Sequence, residues 1–126
     1  MKEFMLFIRK QNDSSIALSP EKHHEFLKSC ETYIEKLKKE GRLISAQPIE
    51  RVGKIVSGKD KTWNEVSFNE NTEVIGGYYL ILAKDLDDAI SIAKANPEFE
   101  FNTGTRIEVR AIKSKENLTG FVYPTV

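Results

Sequence analysis

Two adjacent histidines near the start of a helix-forming segment are the residues best suited to chemistry. Histidine titrates near neutral pH, so it can act as a general base. On a helical wheel His23 falls in line with Cys30 and Leu37, inside an apolar stripe, while His24 points about 100° further round. We therefore predict that His23 faces a pocket beside a sheet and that His24 lies on the surface. The alternative is a histidine at a helix end with no catalytic role.

Charged residues on the first and last predicted strands form a second group of candidates. Arg9 ends the first strand, whereas Glu108 and Arg110, two positions apart on the last strand, share one face. An arginine beside a carboxylate can hold an anionic small molecule through two hydrogen bonds. Glu108 or Glu73 would be the carboxylate that orients His23. The alternative is an ion pair at an interface or sheet edge that fixes the register of a dimer.

Aromatic residues complete the predicted site. We predict a catalytic pair, His23 and Glu108, and a ligand-binding set that comprises Arg9, Tyr33, Glu73, Tyr78 and Arg110. Aromatic residues at these spacings also suit a hydrophobic core, and this alternative stays open. Cys30, in the middle of the apolar stripe, is expected to be a core thiol rather than a nucleophile.

Neither a metal nor a cofactor is predicted from the residue pattern. Two adjacent histidines cannot bind one ion through the same helix face, and a single cysteine adds little. There is no Ser-His-Asp signature, phosphate-binding loop or dinucleotide-binding fingerprint. Any enzymatic activity would therefore be cofactor-free acid–base chemistry.

Composition narrows the class of protein. A chain of 126 residues is the size of one domain, and 19 basic residues balance 19 acidic ones. Without a net charge there is no overall field to attract nucleic acid or anionic lipid, so neither is an expected partner. No apolar run approaches the ~20 residues of a membrane span, and one cysteine suits a reducing compartment. These features predict a cytoplasmic protein.

The order of predicted elements gives the fold. Residues 3–9 form a strand, Ser19 caps a helix that ends at Gly41, and residues 42–49 form a second strand. A hairpin at 51–69 turns at Gly58-Lys59-Asp60-Lys61. The remaining elements are a strand from Val74 to Ala83 interrupted by Gly76-Gly77, a helix between Asp85 and Asn96-Pro97, and a strand from Arg106 to Ile112. This is an α+β, ferredoxin-like βαββαβ fold with a hairpin insertion.

Both faces of the predicted sheet are apolar, which predicts a homodimer. Phe4, Leu6 and Ile8 alternate with Met5 and Phe7, and Tyr79 and Ile81 alternate with neighbouring apolar residues in the same way. Two helices cover only one face. Packing the second faces of two copies together would remove this surface from water and form a dimeric α/β barrel.

Several motifs resemble the YCII-related, or DGPF-domain, family of the dimeric α/β barrel superfamily. The stretch from Phe68 to Tyr79 is similar to the family signature DGPF-x-E-x-K-E-x-I-G-G-[FY], and Asp85–Ala93 and Ile107–Arg110 resemble two further family segments. Glu65-Val66-Ser67 stands where the family has Asp-Gly-Pro, and Thr72 and Ala111 replace its Lys and Pro. The hairpin apex that names the family is therefore altered.

The resemblance implies a YCII-related domain over residues 1–113, a dimer, and a small-molecule pocket between sheet and helix. Residues 114–126 would be a C-terminal tail, with Leu118, Phe121, Val122 and Tyr123 suited to docking on the partner subunit. We expect the pocket to bind a small molecule, with an anion among the candidates. The alternative is a non-catalytic interaction or regulatory module, for example one associated with a sigma factor, as the resemblance implies for some members.

Overall fold

The computed structural model describes residues 1–11, 18–68 and 73–124. Within these ranges the elements are, in chain order, β1 (Lys2–Lys10), α1 (Pro20–Lys39), β2 (Leu43–Pro48), β3 (Lys54–Lys59), β4 (Thr62–Ser67), β5 (Val74–Ala83), α2 (Leu86–Lys94), α3 (Glu98–Phe101) and β6 (Arg106–Ala111). Residues 12–17, residues 69–72 of the family-like stretch, and the last two residues of the predicted tail lie outside the described residues.

The main sheet has four strands in the order β2-β5-β1-β6, and every neighbouring pair is antiparallel. With β3 and β4 set aside, this is the strand order of a ferredoxin-like βαββαβ fold, which confirms the predicted fold class. The sheet of one chain is open, because β2 and β6 each have a neighbour on one side only. A barrel would require a second copy and stays a prediction.

Capping side chains set the start of the two longer helices. The Ser19 side chain accepts a hydrogen bond from the backbone N–H of Lys22, and the Asp85 side chain accepts one from that of Asp88. Gly41, with φ of 69°, follows the end of α1 in the left-handed conformation that glycine adopts without strain. The predicted caps and the glycine stop are confirmed.

A short third helix was missed in the sequence. The Asn96-Pro97 pair was expected to end the second helix, and α2 does end at Lys94. Pro97, however, is also the N-cap of α3, and its φ of -59° is compatible with the turn that follows. This extra turn positions Glu98, whose importance for the site is described below.

The hydrophobic core lies between the helices and one face of the sheet. Its buried apolar residues come from β1, α1, β5 and α2, and they are Phe4, Leu6, Ile8, Tyr33, Leu37, Tyr79, Ile81, Ala83, Ala89 and Ala93. On the opposite face, Met5, Phe7, Leu80 and Leu82 are half-buried in the single chain. Apolar residues on both faces of the two central strands are therefore confirmed.

The inserted hairpin pairs β3 with β4, and every residue of both strands is exposed. Asp60 and Lys61 have φ values of 52° and 64°, so they form the two-residue turn that the right-handed twist of a hairpin favours. Trp63 pairs with Gly58, and its ring occupies the space that a side chain on Gly58 would need. The predicted hairpin and the position of its turn are confirmed.

The C-terminal segment folds back on itself. Lys115 and Val122 form an isolated antiparallel bridge, and the Tyr123 hydroxyl donates a hydrogen bond to Glu116. Leu118 and Phe121 remain exposed, so docking of this tail on a partner subunit stays a prediction. Among the described residues, no helix is long and apolar enough to cross a membrane.

Candidate functional site

A cavity of about 540 Å³ lies between α1 and the edge of the sheet formed by β2 and β5. Its wall is mainly apolar, and its apolar side chains include Ile8, Phe26, Leu27, Cys30, Ile34, Ala46 and Pro48. Polar and charged side chains also line it: Lys10, His23, Glu31, Glu35, Lys38, Gln47 and Glu98. Such a concave, mostly apolar space with a few polar groups is typical of a small-molecule site.

An ion pair between Lys10 and Glu98 lies in the wall of this cavity. Lys10 Nζ is 3.0 Å from Glu98 Oε1, and the side chain of Glu98 is 10% exposed. Asn102 Nδ2 donates a second hydrogen bond, of 2.7 Å, to the other oxygen of this carboxylate. Lys10 Nζ also lies 5.6 Å from the centre of the Phe26 ring, within the range of a cation–π contact. Sequence reasoning missed this pair.

His23 lines the same cavity, as its phase on the helical wheel predicted. Its residue is exposed, and its ring lies 6.4 Å from that of Phe26. Across the described ranges its imidazole makes no hydrogen bond or ion pair, so both ring nitrogens are available to a bound molecule. The carboxylates that share the cavity with His23 are Glu31, Glu35 and Glu98.

The predicted arginines and their carboxylates come together on the other face of the sheet. Arg9 Nε lies 2.6 Å from Glu73 Oε1, and Arg9 Nη1 lies 2.7 Å from Glu108 Oε1. Arg106 contacts Glu73 through two nitrogens, at 2.7 and 2.8 Å, and Arg110 Nη1 is 3.8 Å from Glu108 Oε2. These five residues form what we call the arginine–glutamate cluster.

The sheet separates this cluster from the cavity. Ile107 and Val109 pack against the core, so the strand alternation directs Glu108 to the opposite face. The structure therefore does not bring Glu108, Glu73, Arg9 or Arg110 to His23. The role of orienting carboxylate that was predicted for Glu108 or Glu73, and that of anion clamp beside His23, are not supported by this arrangement.

Electrostatics within the cluster favour its ionised form. Hydrogen bonds from the Arg106 guanidinium, with the charges of Arg106 and Arg9, hold the pKa of Glu73 below its ordinary value despite opposing desolvation. The same interaction with Glu73 raises the pKa of Arg106. The cluster joins the end of β1, the start of β5 and β6, so it has a structural explanation as an ion-pair network.

The side chains of the aromatic candidates divide between the core and the opposite face of the sheet. The Tyr33 hydroxyl donates a 2.6 Å hydrogen bond to the carbonyl of Ile92, and its ring packs edge-on against Tyr79, so it belongs to the core. Burial raises the pKa of Tyr33, and burial raises that of Tyr79 to about 12. Both tyrosines border the cavity, but Tyr78 alternates with the core residue Tyr79 and directs its side chain to the face of Leu80 and Leu82. There the Tyr78 hydroxyl shares a 2.9 Å hydrogen bond with that of Ser45, so the predicted ligand contact through this hydroxyl is not supported.

Comparison with known proteins gives one decisive match. The model of the YCII-related domain matches residues 3–113 of this chain. The chain belongs to the YCII-related family. No curated protein matches it. Among the described residues of this YCII-related protein there is no group of three or more His, Cys, Asp or Glu side chains that could hold a metal ion.

The glycine pair of the predicted YCII-related signature has two separate structural reasons. A Cβ on Gly76 would lie 2.9 Å from Cδ of Lys10, so this glycine leaves room for the lysine that crosses it to reach Glu98. A Cβ on Gly77 would lie 3.0 Å from the backbone oxygen of Gln47, where β2 approaches β5 closely. The pairing of β1 with β5 also shifts here, between Ile8 and Arg9. The glycine pair therefore coincides with an irregularity in the β1–β5 pairing and with a close approach of two backbones.

Proposed function

We propose that this YCII-related protein binds a small molecule in the cavity between α1 and the sheet. The observation that carries the proposal is the combination of a 540 Å³ apolar space with polar groups grouped at its wall. Lys10 and Glu98 supply an adjacent donor and acceptor, and His23 supplies an imidazole that has no hydrogen-bond partner in the described part of the chain. A space filled for stability alone would not need a charged pair in its wall.

Binding can be tested with Nile red, a neutral apolar dye that becomes fluorescent in apolar surroundings. Ala46 lines the cavity, so Ala46→Leu should fill part of it and weaken dye binding about tenfold. Ala111 is exposed at the end of β6 and outside the cavity, so Ala111→Leu is the matched control. Unchanged binding by Ala46→Leu, with a folded circular-dichroism spectrum, would place the dye elsewhere and contradict the proposal.

A second proposal concerns acid–base chemistry. His23 lies in the cavity wall, and an imidazole without a hydrogen-bond partner among the described residues is suited to exchange a proton with a bound molecule. A mixture of small metabolites incubated with the protein would reveal a consumed compound by mass spectrometry. His23→Ala should abolish that consumption, whereas His24→Ala should retain it. Equal consumption by wild type and His23→Ala would remove His23 from the mechanism.

We also propose that the protein is a homodimer. Met5, Phe7, Leu80 and Leu82 leave an apolar surface on the face of the sheet that the helices do not cover. A two-fold pairing of these faces would bury it. Sedimentation equilibrium should give about twice the chain mass of 14.4 kDa. Leu80→Glu should yield monomers, and Lys28→Glu, on the solvent side of α1, should not.

The exposed hairpin favours an interaction with another protein as the alternative function. Ile55, Val56 and Trp63 are 54%, 62% and 70% exposed, which is unusual for large apolar side chains. Such a module, associated for example with a sigma factor, would depend on the hairpin rather than on the cavity. A purified partner that binds wild type and Ala46→Leu equally, but not Trp63→Ser, would support this alternative.

A further inference from the structure

We infer that the cavity selects neutral or positively charged apolar molecules and discriminates against anions. This inference rests on the proposed binding function and adds the class of ligand. Five ionised side chains line the cavity, namely Lys10, Lys38, Glu31, Glu35 and Glu98. With the His23 imidazole uncharged, two positive charges against three negative ones leave the wall with one net negative charge.

The positive charge deepest in the cavity wall is already neutralised. Glu98 Oε1 is 3.0 Å from Lys10 Nζ, and Asn102 holds the same carboxylate in place with a 2.7 Å hydrogen bond. An anion would have to displace Glu98 or share Lys10 with it at close range. Like charges at such separations repel strongly in a partly buried site.

The rim of the cavity carries an excess of negative charge. Glu31 and Glu35 lie one turn apart on α1, and neither has an ion-pair partner within the part of the chain that the structure describes. Lys38 lies on the same helix, one turn after Glu35, and is the positively charged residue of α1 among those that line the cavity. At the other end of the cavity, Ser19 caps the N-terminus of α1 and Glu21 lies in its first turn, which offsets the positive end of the helix dipole.

The arginines that would suit an anion are on the other face of the sheet. Arg9, Arg106 and Arg110 all contact Glu73 or Glu108 there. Between the charged groups, Leu27, Ile34 and Pro48 line the cavity, so the ligand must also have an apolar body. The class that fits is therefore an uncharged apolar compound or an apolar amine.

Cys30 gives a direct measurement of this selectivity. It lines the cavity, and it is the single cysteine of the chain. Methanethiosulfonate reagents that carry a trimethylammonium, a methyl or a sulfonate group all modify thiols by one reaction. The thiolate attacks the divalent sulfur, a mixed disulfide forms, and methanesulfinate leaves as the sulfur–sulfonyl bond breaks. For each reagent, the rate of reaction with Cys30 is divided by the rate of its reaction with 2-mercaptoethanol at the same pH, which corrects for differences in intrinsic reactivity. The thiol's own pKa is common to all three reagents, so the ratios report the charge of the cavity.

We expect the cationic reagent to modify Cys30 about fivefold faster than the anionic one, after this correction, at low ionic strength. The ratio should fall towards one in about 0.5 M sodium chloride, because salt screens the rim charges. The double variant Glu31→Gln/Glu35→Gln should lose the preference. Glu25→Gln, an exposed position of α1 outside the cavity, is the control and should keep it. A corrected rate that is equal or faster for the anionic reagent would overturn the inference.

A protection experiment separates this inference from the proposed binding function. Nile red, a hydrophobic tetraalkylammonium and anilinonaphthalene sulfonate serve as neutral, cationic and anionic probes that slow the modification of Cys30 by N-ethylmaleimide. Stronger protection by the neutral and cationic probes supports the inference. Stronger protection by the sulfonate would overturn the ligand class while binding in the cavity stands. No protection by any probe would overturn both.

Discussion

Lys10 Nζ lies 3.0 Å from Glu98 Oε1 and joins the end of β1 to the start of α3. Both side chains are largely shielded, with 25% and 10% of their surfaces exposed. The pair connects one of the two central strands to a short helix that local sequence signals did not predict. It therefore fixes α3 in place and forms part of the cavity wall.

Replacing Glu98 by Gln should destabilise the protein by about 1–3 kcal/mol. Glutamine keeps the shape of the side chain and an oxygen that accepts from Asn102. It leaves the Lys10 ammonium without a charged partner in a partly buried place. The free energy of unfolding, measured by urea denaturation at pH 7, checks this expectation.

The control for this loss is a surface pair. Lys22 and Glu25 lie 3.5 Å apart on α1 and are more than half exposed, so Glu25→Gln should change the free energy of unfolding by less than about 0.5 kcal/mol. Equal effects of Glu25→Gln and Glu98→Gln would mean that the Lys10–Glu98 pair contributes no more than a solvated one.

The two glycines of β5 should differ in their response to alanine. Gly77→Ala should cost about 1–3 kcal/mol, because its Cβ would press on the backbone oxygen of Gln47 and part β2 from β5. Gly76→Ala meets only the Lys10 side chain, so it should cost less, and its cost should fall further in a Lys10→Ala background. Thermal unfolding of the three single variants and of Lys10→Ala/Gly76→Ala provides the comparison. If Gly76→Ala lowers stability by the same amount in the Lys10→Ala background as in wild type, the expectation is contradicted.

Cys30 should react slowly with thiol reagents at neutral pH. Burial, and next the charge of Glu98, raise the pKa of Cys30 to about 11, against the opposing charge of Lys10. Only the thiolate is nucleophilic, so the rate of alkylation by iodoacetamide should keep rising with pH up to about 11. Removing the negative charge in Glu98→Gln should shift this profile to lower pH. A plateau at about pH 8.5, the ordinary cysteine range, would contradict the buried environment.

The contribution of the Glu73 carboxylate to the free energy of unfolding should disappear in acid. Its pKa lies below the ordinary value, mainly through hydrogen bonds from Arg106, so its stabilising effect is complete above about pH 5 and is lost as the pH falls through the lowered pKa. Glu73→Gln should therefore be less stable than wild type at neutral pH, and the difference should shrink towards about pH 3. Urea denaturation across this range tests the sign. Glu50→Gln, at an exposed position before the hairpin, should show no such trend.

Substitutions in the hairpin turn should increase the stability of the hairpin without any change in the cavity. Asp60 and Lys61 both have positive φ, a conformation that asparagine and glycine adopt at lower cost. The double substitution Asp60→Asn/Lys61→Gly should stabilise the hairpin by about 1 kcal/mol. Trp63, the single tryptophan of the chain, reports this locally through its fluorescence during unfolding. Slower amide exchange in β3 and β4, with unchanged exchange in β5, would agree; faster exchange in β3 and β4 would contradict it.

Much of the fold could be predicted because its signals are local. Ser19, Gly41 and Asp85 mark helix ends through bonds to residues a few positions away. The alternating pattern in β1 and β5 likewise follows from the two-residue period of a strand. The third helix was missed, since Pro97 signals the end of one helix and the start of another with equal strength.

The site was predictable only in part, because its contacts are far apart in sequence. The helical wheel correctly directed His23 to the cavity. Side chains of a strand alternate between its two faces, and Ile107 and Val109 pack against the core. This alternation could also have shown that Glu108, which lies between them, faces away from the helices. The two-residue period of a strand could also have shown that Lys10 shares the face of Ile8, but no local pattern indicates that Glu98 lies there too.

Pro48 and Gly77 are directly paired across β2 and β5, so the chain leaves the main sheet and re-enters it at neighbouring points. Between these two points the chain forms the β3–β4 hairpin, whose described strands pair with each other and not with the main sheet. The length and content of the hairpin can therefore change while Glu73 keeps its ion pairs and β5 keeps its register with β1. This makes the hairpin a natural graft point, where a foreign peptide or a longer arm can be inserted between the same two anchors without rebuilding the scaffold.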